Sequence, residues 1–107
     1  MAQTFRDYEL IIVDDDSSDG SWEIVQAFSD QRIRTFRLPQ NCGVTFARNF
    51  AVELADCEHL AFLDADDIAV PRRLEIQVGY LSSRGSLGAV VSRAWILDAG
   101  RMYKQLL

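Results

Sequence analysis

Two hydrophobic rhythms alternate along the chain: short, nearly unbroken apolar runs, and stretches in which apolar residues return about every 3.6 positions. Tyr8 to Val13 is a run of the first kind and ends in three aspartates, as expected of a strand buried on both faces. Ser17-Ser18-Asp19-Gly20-Ser21 then offers turn and cap chemistry, and Trp22, Val25 and Phe28 recur at helical spacing, which predicts a helix of about ten residues. Arg32 to Leu38 alternates loosely, the pattern of a strand with one wet face, and Pro39 stops it. Asn41-Cys42-Gly43 makes a turn, after which Val44, Ala47, Ala51, Leu54 and Ala55 fall on one face of a helix running to about Asp56.

Leu60 to Leu63 is a second short apolar strand, and it too ends in carboxylates, Asp64-Ala65-Asp66-Asp67. Pro71 sits where a first helical turn accepts proline, and Leu74, Val78 and Leu81 form the apolar stripe of a third helix. Ser82 to Gly88 reads as a loop, Ala89 to Leu97 as a β-prone run, and Asp98-Ala99-Gly100-Arg101 as a hairpin turn leading into Met102 to Leu107. This order predicts an α/β fold, a mostly parallel sheet in three layers with helices on both faces, as a single domain over residues 1–107.

Composition narrows the partners. At 107 residues, 49% hydrophobic and 25% charged, the chain has room for one small core. Sixteen acidic against eleven basic side chains leave a net charge of −5, the wrong sign for binding dominated by phosphate-backbone contacts, so no nucleic-acid partner is expected. The longest apolar stretches fall far short of the roughly 20 residues that cross a bilayer, so no membrane span is expected. The first seven residues lack a basic-then-apolar leader profile, and a cytoplasmic location is the default expectation. Cys42 and Cys57 form no C-x-x-C pair and His59 is the only histidine, which argues against a Cys/His metal site. Two reduced thiols in or near the core, and a strand-entry position for His59, are the simpler expectations.

The acidic strand ends carry the candidate chemistry. Ligands of open α/β sheets gather at the carboxyl ends of the strands, beside helix N-termini, and both acidic clusters are expected there. Uncompensated, such crowding repels and raises pKa values. A hard divalent cation resolves it, and Mg²⁺ or Mn²⁺ held by one or two carboxylates while bridging substrate phosphates suits an Asp-x-Asp arrangement. A diphosphate ligand is the matching expectation. The competing reading makes these aspartates caps for the helices that follow, which fits Asp16, Asp19 and Asp67 best. Two separate strands ending in acids, with Asp15 on one and Asp64 and Asp66 on the other, is more than capping requires. A phospho-receiver domain is a further alternative, since it also opens on an apolar strand with paired acids; Ser92 and Lys104 would then be its hydroxyl and lysine.

The words themselves add a resemblance. Gln3-Thr4-Phe5, followed by Glu9-Leu10-Ile11-Ile12-Val13-Asp14-Asp15-Asp16-Ser17-Ser18-Asp19-Gly20-Ser21, resembles the opening signature of family 2 glycosyltransferases. Asn41-Cys42-Gly43-Val44 with Ala47-Arg48-Asn49, and then Ala61-Phe62-Leu63-Asp64-Ala65-Asp66-Asp67 with Pro71 and Leu74, resemble the next two blocks. The likeness runs in order over residues 3 to 98. A single Asp-x-Asp is common by chance, whereas three ordered blocks are specific. A receiver would also place its first helix directly after the acidic pair, where Ser17 to Ser21 inserts a loop.

The resemblance implies a GT-A-like nucleotide-sugar-binding half and transfer of a sugar, with inversion, from a nucleotide-diphosphate donor to a hydroxyl acceptor. A UDP-sugar is the favoured donor. By the same resemblance Asp15 contacts the nucleotide base, Arg48 helps hold the nucleotide, Asp64 lies near the ribose, and Asp66 ligates Mg²⁺ or Mn²⁺ on the sugar diphosphate, where the metal neutralises the departing group. Asp14 is then structural. Asp16 and Cys42 stand where the family more often has glycine, so the turns after Asp15 and Asn41 are expected to be stiffer.

The family also has a strand and helix ahead of Gln3, and an acidic catalytic base beyond the last residue here; on that comparison the chain is a truncated domain, inactive alone, with its base unassigned. The implied missing strand lies between Tyr8–Val13 and Leu60–Leu63. Those two strands are therefore expected either to pair directly or to self-associate through exposed edges. A binding-only module for nucleotide and metal is the alternative to an enzyme.

Overall fold

The computed structural model describes residues 2–92, 95–98 and 101–104, the last two stretches through their backbone. The chain divides into two compact units, residues 6–62 and residues 1–5 with 63–107.

The first unit is built on two strands, β1 (Leu10–Asp14) and β2 (Ile33–Arg37), paired in parallel from Leu10↔Ile33 to Asp14↔Arg37. Parallel strands need a crossover, and it contains α1 (Ser21–Gln26). Helix α1 is six residues long rather than about ten. Its start is set by Gly20, left-handed at φ 83°, and by the Asp19 carboxylate, which accepts the Ser21 amide at 3.1 Å. Beyond Gln26 the Asp30 carboxylate accepts the Arg32 amide at 3.0 Å, a local turn that competes with continued helix.

Helix α2 (Val44–Leu54) ends within two residues of the expected position and packs on β1. Ala47, Ala51 and Leu54 are half-buried on that face, the close approach that small side chains permit. Phe50 meets Phe36 of β2 edge-on at 6.0 Å and stacks with Phe46 at 6.5 Å. Glu9 fastens the far end of the helix: its carboxylate accepts Arg34 Nη1 at 2.8 Å and the Asp56 amide at 3.1 Å, while Arg34 also donates to the Leu54 carbonyl at 3.0 Å. Among the described residues the buried ones are Leu38 and Asp14, each 6% exposed.

The expected strand at Leu60–Leu63 does not form. Residues 59–64 have no regular structure, and Leu60, Phe62 and Leu63 are each about half exposed. An apolar run becomes a strand only when a neighbour supplies its ladder, and no ladder of the described residues includes residues 60–63, to β1 or to any other strand. His59 accordingly enters no strand. Both cysteines are free, as expected, but exposed rather than in the core. Cys42 lies in the turn before α2 and Cys57 in the bend after it, where desolvation and then a hydrogen bond to Glu9 push its thiol up.

In the second unit α3 (Arg73–Ser83) follows Pro71, and its first turn is capped from the chain's beginning. Gln3 accepts the Leu74 amide through Oε1 at 3.1 Å and donates through Nε2 to the Val70 carbonyl at 2.7 Å. Thr4 donates its amide to the Pro71 carbonyl at 2.8 Å and its hydroxyl to Glu75 at 2.7 Å. The hairpin expectation is met by β3 (Trp95–Asp98) and β4 (Arg101–Lys104), antiparallel with Asp98 opposite Arg101; Ala99 and Gly100 lie outside the described residues. Among the described residues the ladders form two two-stranded sheets, one parallel and one antiparallel, and the parallel pair with its helices is consistent with the expected α/β fold.

Candidate functional site

Three aspartates in a row at the end of β1 meet three different fates, set by where the backbone aims each. Asp14, the last strand residue, is buried and accepts the Ser17 amide at 3.2 Å and Arg37 Nε at 3.3 Å. Asp16 takes the left-handed conformation at φ 60°, which aspartate tolerates better than most side chains, and pairs with Arg37 Nη2 at 3.3 Å. Arg37 also donates to the Ser17 carbonyl at 2.9 Å and lies over the Trp22 ring at 6.0 Å. One guanidinium from β2 therefore neutralises two acids of the turn and anchors its backbone.

Asp15, between them, turns to the Asn41-Cys42-Gly43 segment. One carboxylate oxygen accepts the Cys42 amide at 2.7 Å and the other the Gly43 amide at 2.8 Å, while Asn41 Nδ2 donates back to the Asp15 carbonyl at 3.1 Å. Such charge-assisted bonds are short and about twice as strong as neutral ones. Gly43 makes the arrangement possible: at φ 86°, ψ 156° it occupies a region open essentially to glycine alone. Cys42 is not at positive φ, so the side chain standing there is accommodated without that strain.

Gly43 is also the N-cap of α2, and Arg48 is exposed on that helix one turn beyond its start. The structure thus brings Asp15 to the base of the helix that carries Arg48. Asp64 and Asp66 belong to the other unit. There the Asp67 amide donates to the Asp64 carbonyl at 3.0 Å, closing a turn over residues 64–67 whose acids are all exposed. Among the described residues no group of three or more His, Cys, Asp or Glu converges as a metal cage. Asp64 and Asp66 each offer carboxylate oxygens, the donor type that Mg²⁺ and Mn²⁺ take, and Mg²⁺ needs only one or two protein carboxylates because water and substrate phosphate complete its shell. A shallow groove of about 320 Å³ beside α3, lined by Arg72, Glu75, Ile76, Gly79, Tyr80 and Ser83, contains none of the expected site residues.

Arg37 was not singled out from the sequence as a site-shaping residue, and Asn41 was read only as part of a turn and a motif, not as a partner of Asp15. Arg37 was discoverable: it is the last residue of an alternating strand whose parallel neighbour ends in aspartates, and an exposed strand-end arginine beside three acids is their obvious counter-charge.

The family model described as glycosyl transferase family 2 matches residues 1–106. Among curated proteins, the chain is 40% identical over 81 residues to the UDP-Glc:alpha-D-GlcNAc-diphosphoundecaprenol beta-1,3-glucosyltransferase WfgD of Escherichia coli, covering 76% of this chain and 32% of that protein. It is 34% identical over 83 residues to the enzyme of the same description, WfaP, also of Escherichia coli, covering 78% and 33%. It is 40% identical over 84 residues to the putative teichuronic acid biosynthesis glycosyltransferase TuaG of Bacillus subtilis, covering 77% and 33%. The matched part spans about a third of the length of these relatives. No solved structure matches the chain.

Proposed function

The chain belongs to glycosyl transferase family 2, and from that premise we propose that it is the donor-binding part of an enzyme that transfers a sugar, with inversion and metal assistance, from a nucleoside diphosphate to a hydroxyl acceptor. The observation that carries this reading is the Asp15 latch: a carboxylate at a strand's carboxyl end, tied by 2.7 and 2.8 Å bonds to the turn that starts the helix bearing Arg48. A UDP-sugar is the favoured donor, since two of the relatives are named for transfer from UDP-Glc. The receiver alternative has no support once the family is known.

In this reading Asp15 and Arg48 hold the nucleotide, Asp15 as a fixed acceptor of hydrogen bonds from the base and Arg48 as a cation on an exposed helix face. Asp64 holds the ribose and Asp66 the cation. Mg²⁺ or Mn²⁺, when bound, supplies charge neutralisation for the departing diphosphate. No residue of the chain is assigned the deprotonation of the acceptor hydroxyl, which keeps a binding-only module as the second reading; release of UDP in the presence of acceptor separates the two. A three-layer arrangement is part of the proposal, and neighbouring residues of β2 support it: Phe36 meets Phe50 of α2 while Arg37 meets Trp22 of α1, and successive strand residues face opposite sides. Self-association through the edge of β1 that no described strand pairs is likewise proposed, with light scattering at rising concentration as its check; a monomer throughout removes it.

Calorimetric titration of UDP with and without Mn²⁺ tests the function. Binding that tightens with Mn²⁺ is the expected outcome, and absence of UDP binding under both conditions contradicts the proposal.

A further inference from the structure

The proposed function gives Asp15 a ligand to bind, but the geometry shows that the carboxylate is first of all bound by the protein. Each of its oxygens already accepts one backbone amide, from Cys42 and from Gly43, and each keeps a second lone-pair site. Those remaining sites point wherever the two amide bonds leave them. The direction in which Asp15 can meet a ligand is therefore set by the 41–43 turn and not by its own rotamer preference.

The turn is in turn held by a reciprocal bond. Asn41 Nδ2 donates to the Asp15 main-chain carbonyl at 3.1 Å, so the strand end and the turn are joined in both directions: side chain to main chain from Asp15, and side chain to main chain from Asn41. Asp15 is half-buried while Asn41 is exposed, so Asn41 contributes little to packing and its amide is the part of it that matters. On the opposite side of the loop Arg37 takes up Asp14 and Asp16, which leaves Asp15 as the one acid of the three tied to α2.

We propose that Asn41 is a positioning residue for donor binding: by bonding the Asp15 carbonyl it fixes the Asp15 carboxylate against the turn before α2, and so sets the spacing between Asp15 and the helix that carries Arg48. This rests on the donor-binding reading above. Its consequence is selective. Loss of the Asn41 amide loosens the nucleoside end of the site, where Asp15 acts, and leaves the diphosphate end, assigned to Asp66 and the cation, as it was.

The test compares two ligands on the 107-residue chain. UDP and inorganic pyrophosphate are titrated calorimetrically in Mn²⁺ against the unaltered chain, Asn41→Ala, Asn41→Ser and Asn41→Asp, with circular dichroism to monitor folding. Asn41→Ala is expected to weaken UDP about ten-fold, the scale of one hydrogen bond, with pyrophosphate affinity unchanged. Asn41→Ser keeps a shorter donor and should recover part of the loss; Asn41→Asp, which replaces the donor with a second carboxylate beside Asp15, should be the weakest. Should Asn41→Ala fail to fold, Asn41→Ser decides by the same two-ligand comparison. Equal weakening of both ligands marks Asn41 as structural only and overturns the proposal, as does UDP affinity that none of the variants changes. An unaltered chain that does not bind UDP at all overturns the donor-binding reading itself, a result distinct from either.

Discussion

The chain writes nearly the same sentence twice, an apolar tetrapeptide followed by aspartates, and only one copy folds as that pattern predicts. Leu10–Asp14 is a strand with a parallel partner in full register, and its acids are buried, paired or latched. Residues 60–67 hold the same kind of sequence as irregular backbone and an exposed turn. The difference lies outside both tetrapeptides. β1 has β2 alongside to supply a ladder, and β2 ends in Arg37, whose guanidinium accounts for two carboxylates at once. Apolar character creates the demand for a strand; a neighbour that supplies the ladder satisfies it.

The largest effect should come from removing that counter-charge. Arg37→Ala leaves Asp14 buried with only the Ser17 amide and frees Asp16 and the Ser17 carbonyl, at an expected cost of about 2 kcal/mol in denaturant unfolding, below the range for fully buried pairs because Arg37 is partly exposed. A loss near zero would mean that Arg37 does not brace the β1 acids. Next is Gly43→Ala, which forces a Cβ into φ 86° and should destabilise by about 1.5 kcal/mol while weakening UDP binding. The comparison itself is tested by truncating both apolar runs: Val13→Ala should cost about 1 kcal/mol and Leu63→Ala less than about 0.5. Equal costs would show that residues 60–63 are packed as β1 is.

Acid offers a gentler probe of the β1 unit. Hydrogen bonds from Arg34 and then the Asp56 amide hold the Glu9 carboxyl below its ordinary 4.5, and bonds from Arg32 bring Asp30 from 3.8 to about 2. Both folded values are depressed, so their stabilisation is full above the ordinary values and disappears as pH falls through the folded ones. Thermal midpoints should drop on acidification below pH 4.5, with Asp30's share lost between 3.8 and about 2, and Glu9→Gln should flatten the earlier part of that decline. The smallest effect is expected for Asp16→Gly, within about 0.5 kcal/mol, because relief at φ 60° offsets loss of the exposed bond to Arg37.

Much of this was legible in the residues. The parallel β/α unit, the turn at Asn41 to Gly43, the extent of α2 and the hairpin at Asp98 to Arg101 follow from periodicity and turn chemistry, which are local. The three motif blocks resembled the family that the chain belongs to. The strand at Leu60 to Leu63 and the burial of Cys42 and Cys57 were misread for one reason: both depend on what lies beside the segment, which periodicity does not encode. The capping of α3 by Gln3 and Thr4 was hidden by distance, since the partners are about 70 positions apart along the chain. Asp15, Arg48, Asp64 and Asp66 were readable as candidates from their place in the motifs, whereas the latch that binds Asp15 to the turn needed the backbone of two segments at once.

The donor-binding proposal is tested most directly by titrating UDP into Asp15→Asn and Asp66→Asn, each with and without Mn²⁺. Asp15→Asn should lose affinity at least ten-fold under both conditions, and Asp66→Asn should bind as the unaltered chain does without Mn²⁺ yet gain nothing when it is added. If both variants retain the full Mn²⁺-dependent affinity, neither acid belongs to a donor site and the account fails.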